Sequence, residues 1–279
     1  MKSAPGTLFV VATPIGNLGD ITLRALEVLA SVDLVAAEDT RQTRKLFSRH
    51  GISTPMISYR RGKEAAAAEK ILDTLSSGRD VALVSDAGTP GVSDPGLTLL
   101  AEAHRRKLRV VPVPGASALT ALLSVSDLPG PFLFLGFLPA RQGERKARLQ
   151  ELAAEPWNLM FFEAPHRLLA TLEDCLATLG DRRTVFGREL TKVHEEVEST
   201  TLEVLLEMFK SRPAVKGECV FLVAGAPVKE PSEEEVLSLL KLWRRQGRPL
   251  SETVKEISRE LGVSRTDLYR KALEVWKEE

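Results

Sequence analysis

The four apolar residues Val81-Ala82-Leu83-Val84 stop in Ser85-Asp86-Ala87-Gly88-Thr89-Pro90-Gly91-Val92-Ser93-Asp94-Pro95-Gly96, and a helical pattern resumes from Leu97 to Ala103. Three glycines and two prolines continue neither strand nor helix, so this stretch reads as a loop at the carboxyl end of a strand. Open α/β sheets bind their ligands at that edge. A strand-to-helix link usually takes roughly two to six residues, and a longer one more often serves a ligand. Within it, Gly88 and Gly91 permit positive φ or close approach of backbone to a ligand, and Asp94 before Pro95 reads as a helix N-cap.

The same grammar recurs along the first half. Leu8-Phe9-Val10-Val11-Ala12 is an unbroken apolar run, as in a parallel strand buried on both faces. It leads into Thr13-Pro14-Ile15-Gly16-Asn17-Leu18-Gly19-Asp20, where Asp20 is placed to cap a helix carrying Leu23, Leu26, Val28 and Leu29. Leu34-Val35-Ala36-Ala37 runs directly into Glu38-Asp39-Thr40-Arg41, which sets two carboxylates and an arginine at a strand end. A weak strand, Met56 to Tyr59, precedes an alanine-rich helix from Glu64 to Ser77, and Val110-Val111-Pro112-Val113 precedes Pro114-Gly115-Ala116-Ser117-Ala118. Strands alternating with helices imply right-handed crossovers and a mostly parallel sheet. Three Pro/Gly loops then share its ligand-binding edge, although none has the Gly-x-Gly-x-x-Gly or P-loop pattern.

Leu128-Pro129-Gly130-Pro131 reads as a linker, giving a first α/β domain over 1–128 and a second over 132–226. Strands are expected at Phe132–Phe137, Leu159–Phe162, Val185–Gly187, Glu195–Thr201 and Cys219–Val223, and helices at Arg145–Ala154, Leu168–Leu179 and Leu202–Lys210. No helix interrupts Val185 to Thr201, so this half has adjacent antiparallel strands and a mixed sheet. The cluster from Arg141 to Arg148 reads as a solvated helix face or an RNA contact. After Pro227 the chain turns to charged amphipathic helices over 232–279, where Leu261-Gly262-Val263-Ser264 and the cations Arg265, Arg270 and Lys271 outline a helix-turn-helix or a plain helical hairpin.

Net charge bears on partners. With 279 residues, 43% hydrophobic content and formal net charge +0, bulk charge does not drive nucleic-acid binding, and basic patches must be sought locally. No apolar run reaches the roughly 18 residues of a membrane span, no signal-peptide pattern opens the chain, and Cys175 and Cys219 sit in apolar surroundings. The reading is a cytoplasmic protein without a disulfide framework or membrane contact.

Six segments together resemble one family. They are Thr13 to Asp20, Ala37-Glu38-Asp39-Thr40-Arg41, Ser85 to Pro90, Pro114 to Ala118, Phe162-Glu163-Ala164-Pro165-His166-Arg167 and Arg188-Glu189-Leu190-Thr191-Lys192. In this order they are similar to the RsmI family of bacterial small-subunit (16S) ribosomal RNA cytidine 2′-O-methyltransferases, within the tetrapyrrole methylase superfamily. The resemblance implies a two-domain tetrapyrrole-methylase-like α/β fold with a helix-turn-helix-like tail. It also implies S-adenosylmethionine bound between the domains, no metal, a homodimer, and small-subunit RNA as substrate at the decoding centre, in the assembled 30S subunit. The cofactor would rest on Pro14 and Gly16, on Asp86, Ala87, Gly88, Thr89 and Pro90, and on Ser117 and Ala118. Two departures are visible. Gly88-Thr89-Pro90 stands where the superfamily has Gly-Asp-Pro, and Tyr59-Arg60-Arg61-Gly62-Lys63-Glu64 stands where the RNA family has His-Asn-Glu.

Methyl transfer to a ribose hydroxyl needs alignment, exclusion of water and a base for the departing proton. Glu38 and Asp39 beside Arg41 are candidates, as are Lys192, Glu195 and His166; the first two are equally suited to capping a helix and pairing with Arg41 or Arg44. A methylase of a small tetrapyrrole or a protein side chain would keep the loops without needing the basic helix and tail. A non-catalytic RNA-binding module would keep the tail without needing the loops.

Overall fold

The computed structural model describes residues 4–60, 62, 64–227 and 231–277. Arg61 and Lys63 of the departing motif lie outside them. The residues up to Ala226 form one compact unit and those from Pro227 a second.

In the first half, β1 (Thr7–Val11), β2 (Leu34–Ala37), β3 (Met56–Ser58), β4 (Val81–Val84) and β5 (Arg109–Val113) make an all-parallel sheet in the order β3-β2-β4-β1-β5. Its strands read as unbroken apolar runs because both faces are covered. Leu8, Leu34, Ala36, Val81 and Leu83 point into one core with Ile71, Leu72, Leu75 and Leu99, while Val11, Val35, Ala37, Ala82 and Val84 point into the other with Ala25, Leu29, Leu46 and Phe47. The covering helices are α1 (Leu23–Ser31) and α2 (Thr40–His50) on one face, α3 (Glu64–Ser76) and α4 (Leu97–Arg105) on the other. Pro112 is tolerated because β5 is an edge strand.

Two caps differ from expectation. Asp20 closes a short 3-10 turn, Leu18–Asp20, and the hydroxyl of Thr22 accepts the Ala25 N–H at 3.1 Å to cap α1. Asp94 does not cap α4, whose N-cap is Gly96 at φ 144°, a backbone conformation that an aspartate would not adopt.

Beyond α5 (Ala118–Ser124), strands β6 (Phe132–Phe137), β7 (Asn158–Glu163), β8 (Arg183–Arg188), β9 (Glu196–Thr201) and β10 (Cys219–Val223) form a mixed sheet in the order β6-β7-β10-β8-β9. Only β6 and β7 are parallel. Helices α6 (Gln142–Glu151), α7 (Leu168–Leu179) and α8 (Leu202–Lys210) cover one face through Leu149, Leu172, Leu205 and Phe209, packed on Phe161, Phe186 and Phe221. The other face is closed by α5 and the first loop: Leu122 and Ile15 join Met160, Val185, Leu190, Val220 and Leu222 in one apolar layer. The two halves, expected as separate domains, are thereby joined in one unit.

The basic run on α6 divides. Arg141 and Arg148 are solvated and pair with Glu144 and Glu151, whereas Arg145 is 3% exposed and pairs with the buried Asp174 of α7 at 2.6 Å. Its guanidinium also donates to the carbonyls of Pro139 and Ala140, so Arg145 is neither a solvated face nor an RNA contact. In the second unit, α9 (Glu233–Arg245), α10 (Leu250–Leu261) and α11 (Arg265–Lys277) pack through Val236, Leu240, Val254, Ile257, Leu268 and Ala272. Gly262 at φ 67° turns α10 into α11. Lys271 pairs with Glu233 and Arg270 with Asp267, while Arg265 and Tyr269 lie exposed one turn apart.

Asp174→Ala strands Arg145 as a buried, uncompensated cation. Loss of one partner should cost about 3–5 kcal/mol in urea unfolding, and Arg145→Met/Asp174→Leu should recover most of it. An Asp174→Ala loss under about 1 kcal/mol would contradict the pair's role.

Candidate active site

The loops after β1, β4 and β5 are tied to one another before any ligand is considered. Thr13 and Gly88 exchange backbone hydrogen bonds at 2.8 and 3.0 Å, and the Thr89 hydroxyl donates to the Ala116 carbonyl at 3.4 Å. Gly88 has φ 77°, which a side chain disfavours, although the nearest atom to an added Cβ would be Ile15 Cγ2 at 3.4 Å. The requirement there is conformational, so Gly88→Val strains the inter-loop bridge itself.

Gly16 has the opposite reason. An added Cβ would sit 2.3 Å from Lys192 Cγ and 2.9 Å from the Leu190 carbonyl oxygen, because the first loop lies against the segment after β8. Asn17 N–H donates to the Thr191 hydroxyl at 3.0 Å across the same junction. Glu189 (φ 50°) and Thr191 (φ 67°) are two of the four described non-glycine residues with positive φ, and a third is Ser93. Such strain clusters at functional sites: Ser93 lines the cleft, and Glu189 and Thr191 flank its lining residues Leu190 and Lys192.

A cavity of about 400 Å³ opens between the halves. One wall carries Glu38, Asp86, Ala87, Gly88, Thr89, Ser117 and Ala118 of the expected residues, and the other carries Lys192. Pro14, Gly16, Asp39, Arg41 and Pro90 do not line it. Sequence reasoning missed the apolar wall of Ile15, Phe137, Phe162, Leu190 and Val220, and also Glu218. Phe137 carried a signal, an aromatic at the carboxyl end of a strand, and it meets Phe162 edge-on at 5.6 Å between centroids. Glu218 carried none. Of the Phe162–Arg167 segment, Glu163 is buried and accepts from Ala164 N–H at 2.7 Å, Thr171 Oγ1 at 2.6 Å and the Arg167 guanidinium. Glu163 and Arg167 thus brace the turn, while His166 is exposed outside the cavity.

The charged groups separate by role. Asp39 caps α2, accepting the Arg41 backbone N–H at 2.8 Å, and pairs with the Arg41 guanidinium at 2.5 Å. Those hydrogen bonds hold its carboxyl down to about 2. Asp86 accepts the Asp39 N–H at 2.8 Å and its own N–H points to Glu38 Oε2 at 3.4 Å. Crowding by the cleft raises the Asp86 pKa although its side chain still reaches solvent, and the Asp39 and Glu218 charges add to the rise. Burial pulls the Lys192 ammonium down, but Glu189 at 2.7 Å and Glu218 at 3.2 Å outweigh it and the net shift is upward. Burial pushes the Cys219 thiol up to about 12, so it is an inert part of the wall. No cluster that could hold a metal ion occurs among the described residues.

Residues 7–206 match the family of Tetrapyrrole (Corrin/Porphyrin) Methylases. Over 275 residues the chain is 46% identical to a Pseudomonas aeruginosa protein called Ribosomal RNA small subunit methyltransferase I, covering 96% of this chain and 97% of that one. A Synechocystis protein of the same name is 44% identical, with 97% and 98% covered. The chain belongs to the ribosomal RNA small subunit methyltransferase I family, among the tetrapyrrole methylases. The fold is shared with a cobalt precorrin-4 methyltransferase (TM-score 0.59, 17% identity, 77% of this chain and 94% of that one). It is also shared with a Thermus thermophilus uroporphyrin-III C-methyl transferase solved with S-adenyl homocysteine (TM-score 0.57, 19% identity, 78% and 97% covered).

Asp86 gives a pH test. Its folded pKa is raised, so ionised Asp86 opposes folding, and the penalty is present above the folded pKa and vanishes below the unfolded one. Asp86→Asn should therefore raise the unfolding midpoint at neutral pH, and the gap to wild type should close as pH falls into the carboxyl range. A gap that widens on acidification would reverse the assignment.

Proposed function

We propose that this chain transfers a methyl group from S-adenosylmethionine to the 2′-hydroxyl of a cytidine ribose in small-subunit (16S) ribosomal RNA at the decoding centre. Methylation of small-subunit ribosomal RNA is the activity of the family to which the chain belongs. The cytidine, its 2′-hydroxyl and the decoding centre follow from the family resemblance; what supports a methyl transfer here is the cleft, with Glu38 and Asp86 on one wall and Lys192 and Glu218 on the other.

The residues fit the donor. A cavity of about 400 Å³ lies in the range of small-molecule sites, its apolar wall suits a purine, and its carboxylates suit ribose hydroxyls and a sulfonium cation. When bound, S-adenosylmethionine supplies an electrophilic methyl group for in-line displacement. The chain's part is to align the acceptor oxygen, exclude water and take the proton. Asp39, acidic to about 2 and engaged as cap and ion-pair partner, is a weak proton acceptor, so the base is assigned to Glu38. Lys192 stays cationic and orients the acceptor by hydrogen bonding, while Arg41 is occupied with Asp39. The same reading carries a homodimer in the cytoplasm acting on the assembled 30S subunit. Among the described residues no helix is long and apolar enough to cross a membrane.

Labelled S-adenosylmethionine with unmethylated small subunits, naked RNA and a corrin precursor, followed by mapping of the ribose methyl, tests the reading; label only in the corrin would overturn it. Glu38→Gln should lower kcat by roughly 10²–10⁴ with cofactor affinity nearly unchanged. Wild-type turnover in that variant would move the base elsewhere.

The tail is assigned an RNA-engaging role, supported by the exposed Arg265, Tyr269 and Arg270 on α11. Ion pairs of exposed groups contribute little and do not bar Arg270 from a phosphate. A chain ending at Ala226 should bind S-adenosylmethionine normally and capture subunits less tightly, with a salt slope lower by roughly 0.7–0.9 per lost contact. Unchanged capture and slope would make the tail a packing element only.

A further inference from the structure

Although the chain as a whole is neutral, α2 carries a local excess of cations. Four of its eleven residues, Arg41, Arg44, Lys45 and Arg49, are basic, and the helix contains no aspartate or glutamate. At 3.6 residues per turn they fall within an arc of about 140°, opposite the buried Thr43, Leu46 and Phe47. All four are exposed. Only Arg41 is held by a carboxylate, Asp39; Arg44, Lys45 and Arg49 form no ion pair with another described residue.

Position gives the face its meaning. The helix starts two residues after Glu38, which lines the cleft, and its cations from Arg41 to Arg49 extend along about 12 Å of its axis. Beside it lies a second cavity of about 360 Å³, separate from the first. Arg44 and the hydroxyl residues Thr40, Ser48 and Ser53 line it over an apolar floor that includes Phe47 and Met56, while Thr54, also in the lining, donates its hydroxyl to the Leu29 carbonyl at 2.6 Å. Arginine with serine and threonine hydroxyls is the donor set that contacts nucleic-acid backbones. Arg44 belongs to both the basic face and the pocket.

We propose that α2 is the docking rail for the RNA strand flanking the target ribose. Arg44, Lys45 and Arg49 contact successive backbone phosphates, and the α2 pocket takes the sugar-phosphate of one flanking nucleotide. The inference rests on the reading of the chain as an enzyme of ribosomal RNA. It assigns the substrate path on the body of the protein, independent of the tail.

The test uses the full-length protein, unmethylated small ribosomal subunits and a salt series. Arg44→Gln/Arg49→Gln should raise KM for subunits by roughly tenfold at physiological salt and lower the salt slope by about 1.4, or roughly 0.7 per lost contact. Values of kcat and of affinity for S-adenosyl homocysteine should stay within about twofold of wild type. Arg44→Lys/Arg49→Lys should restore most of the binding, which separates lost charge from lost folding. Lys107→Gln/Arg109→Gln, which removes two exposed cations at the opposite edge of the sheet, should behave as wild type.

A KM and slope equal to wild type in the Arg44/Arg49 variant, or an equal loss in the Lys107/Arg109 control, would overturn the rail. A short naked RNA strand should compete less well against the variant. Undiminished competition alongside a raised KM would assign the face to a ribosomal protein and also overturn it. If wild type fails to methylate subunits at all, the RNA reading itself falls.

Discussion

The cleft exists because α5 leaves the first sheet and lies on the second. Leu122, fully buried, enters an apolar layer with Ile15 from the first loop and Met160, Leu190 and Val220 from the second half. Gly187 admits it, since a Cβ there would come within 2.9 Å of Leu122 Cδ1. Burying one such leucine is worth roughly 1.5–3 kcal/mol, and the layer holds several. Without it Glu38 and Lys192 would belong to unrelated surfaces. The positive-φ conformations of Glu189 and Thr191 cost about 1–3 kcal/mol each and persist because the surroundings over-determine them. Glu189 holds Lys192 and the Glu218 N–H, and Thr191 holds Asn17.

That dependence explains what could be read from sequence. The first sheet was legible because strands buried on both faces leave unbroken apolar runs, and its three loops were legible because Pro and Gly punctuate them. Cap identities at Asp20 and Asp94 were misread because a cap is decided by φ and ψ, and Gly96 at 144° is invisible in a residue list. The second wall of the cleft was mostly illegible. It is made where β10 inserts between β7 and β8, so Glu218 and Val220 reach the cavity by strand order, which local pattern does not encode. Arg145 was misread for a related reason: its neighbours in sequence are solvated, and the partner that buries it, Asp174, is 29 residues away on another helix.

Charge placement separates the cleft from the surface around it. A cleft with Glu38, Asp86 and Glu218 on its walls is suited to a cation and repels a phosphodiester. Burial is the main cause of the raised Asp86 pKa, and the Asp39 and Glu218 charges add to it, so only that smaller part reflects crowding of acids around the cleft. A polyanionic substrate can then present a ribose to such a cleft only if its phosphates are held outside, on cations that the cleft's carboxylates do not neutralise. On α2 one carboxylate, Asp39, holds the nearest arginine, and the next three cations lie farther along the helix, away from the acids. A chain of zero net charge reconciles the two demands by distance: acids where a sulfonium would sit, cations one to three helical turns farther out.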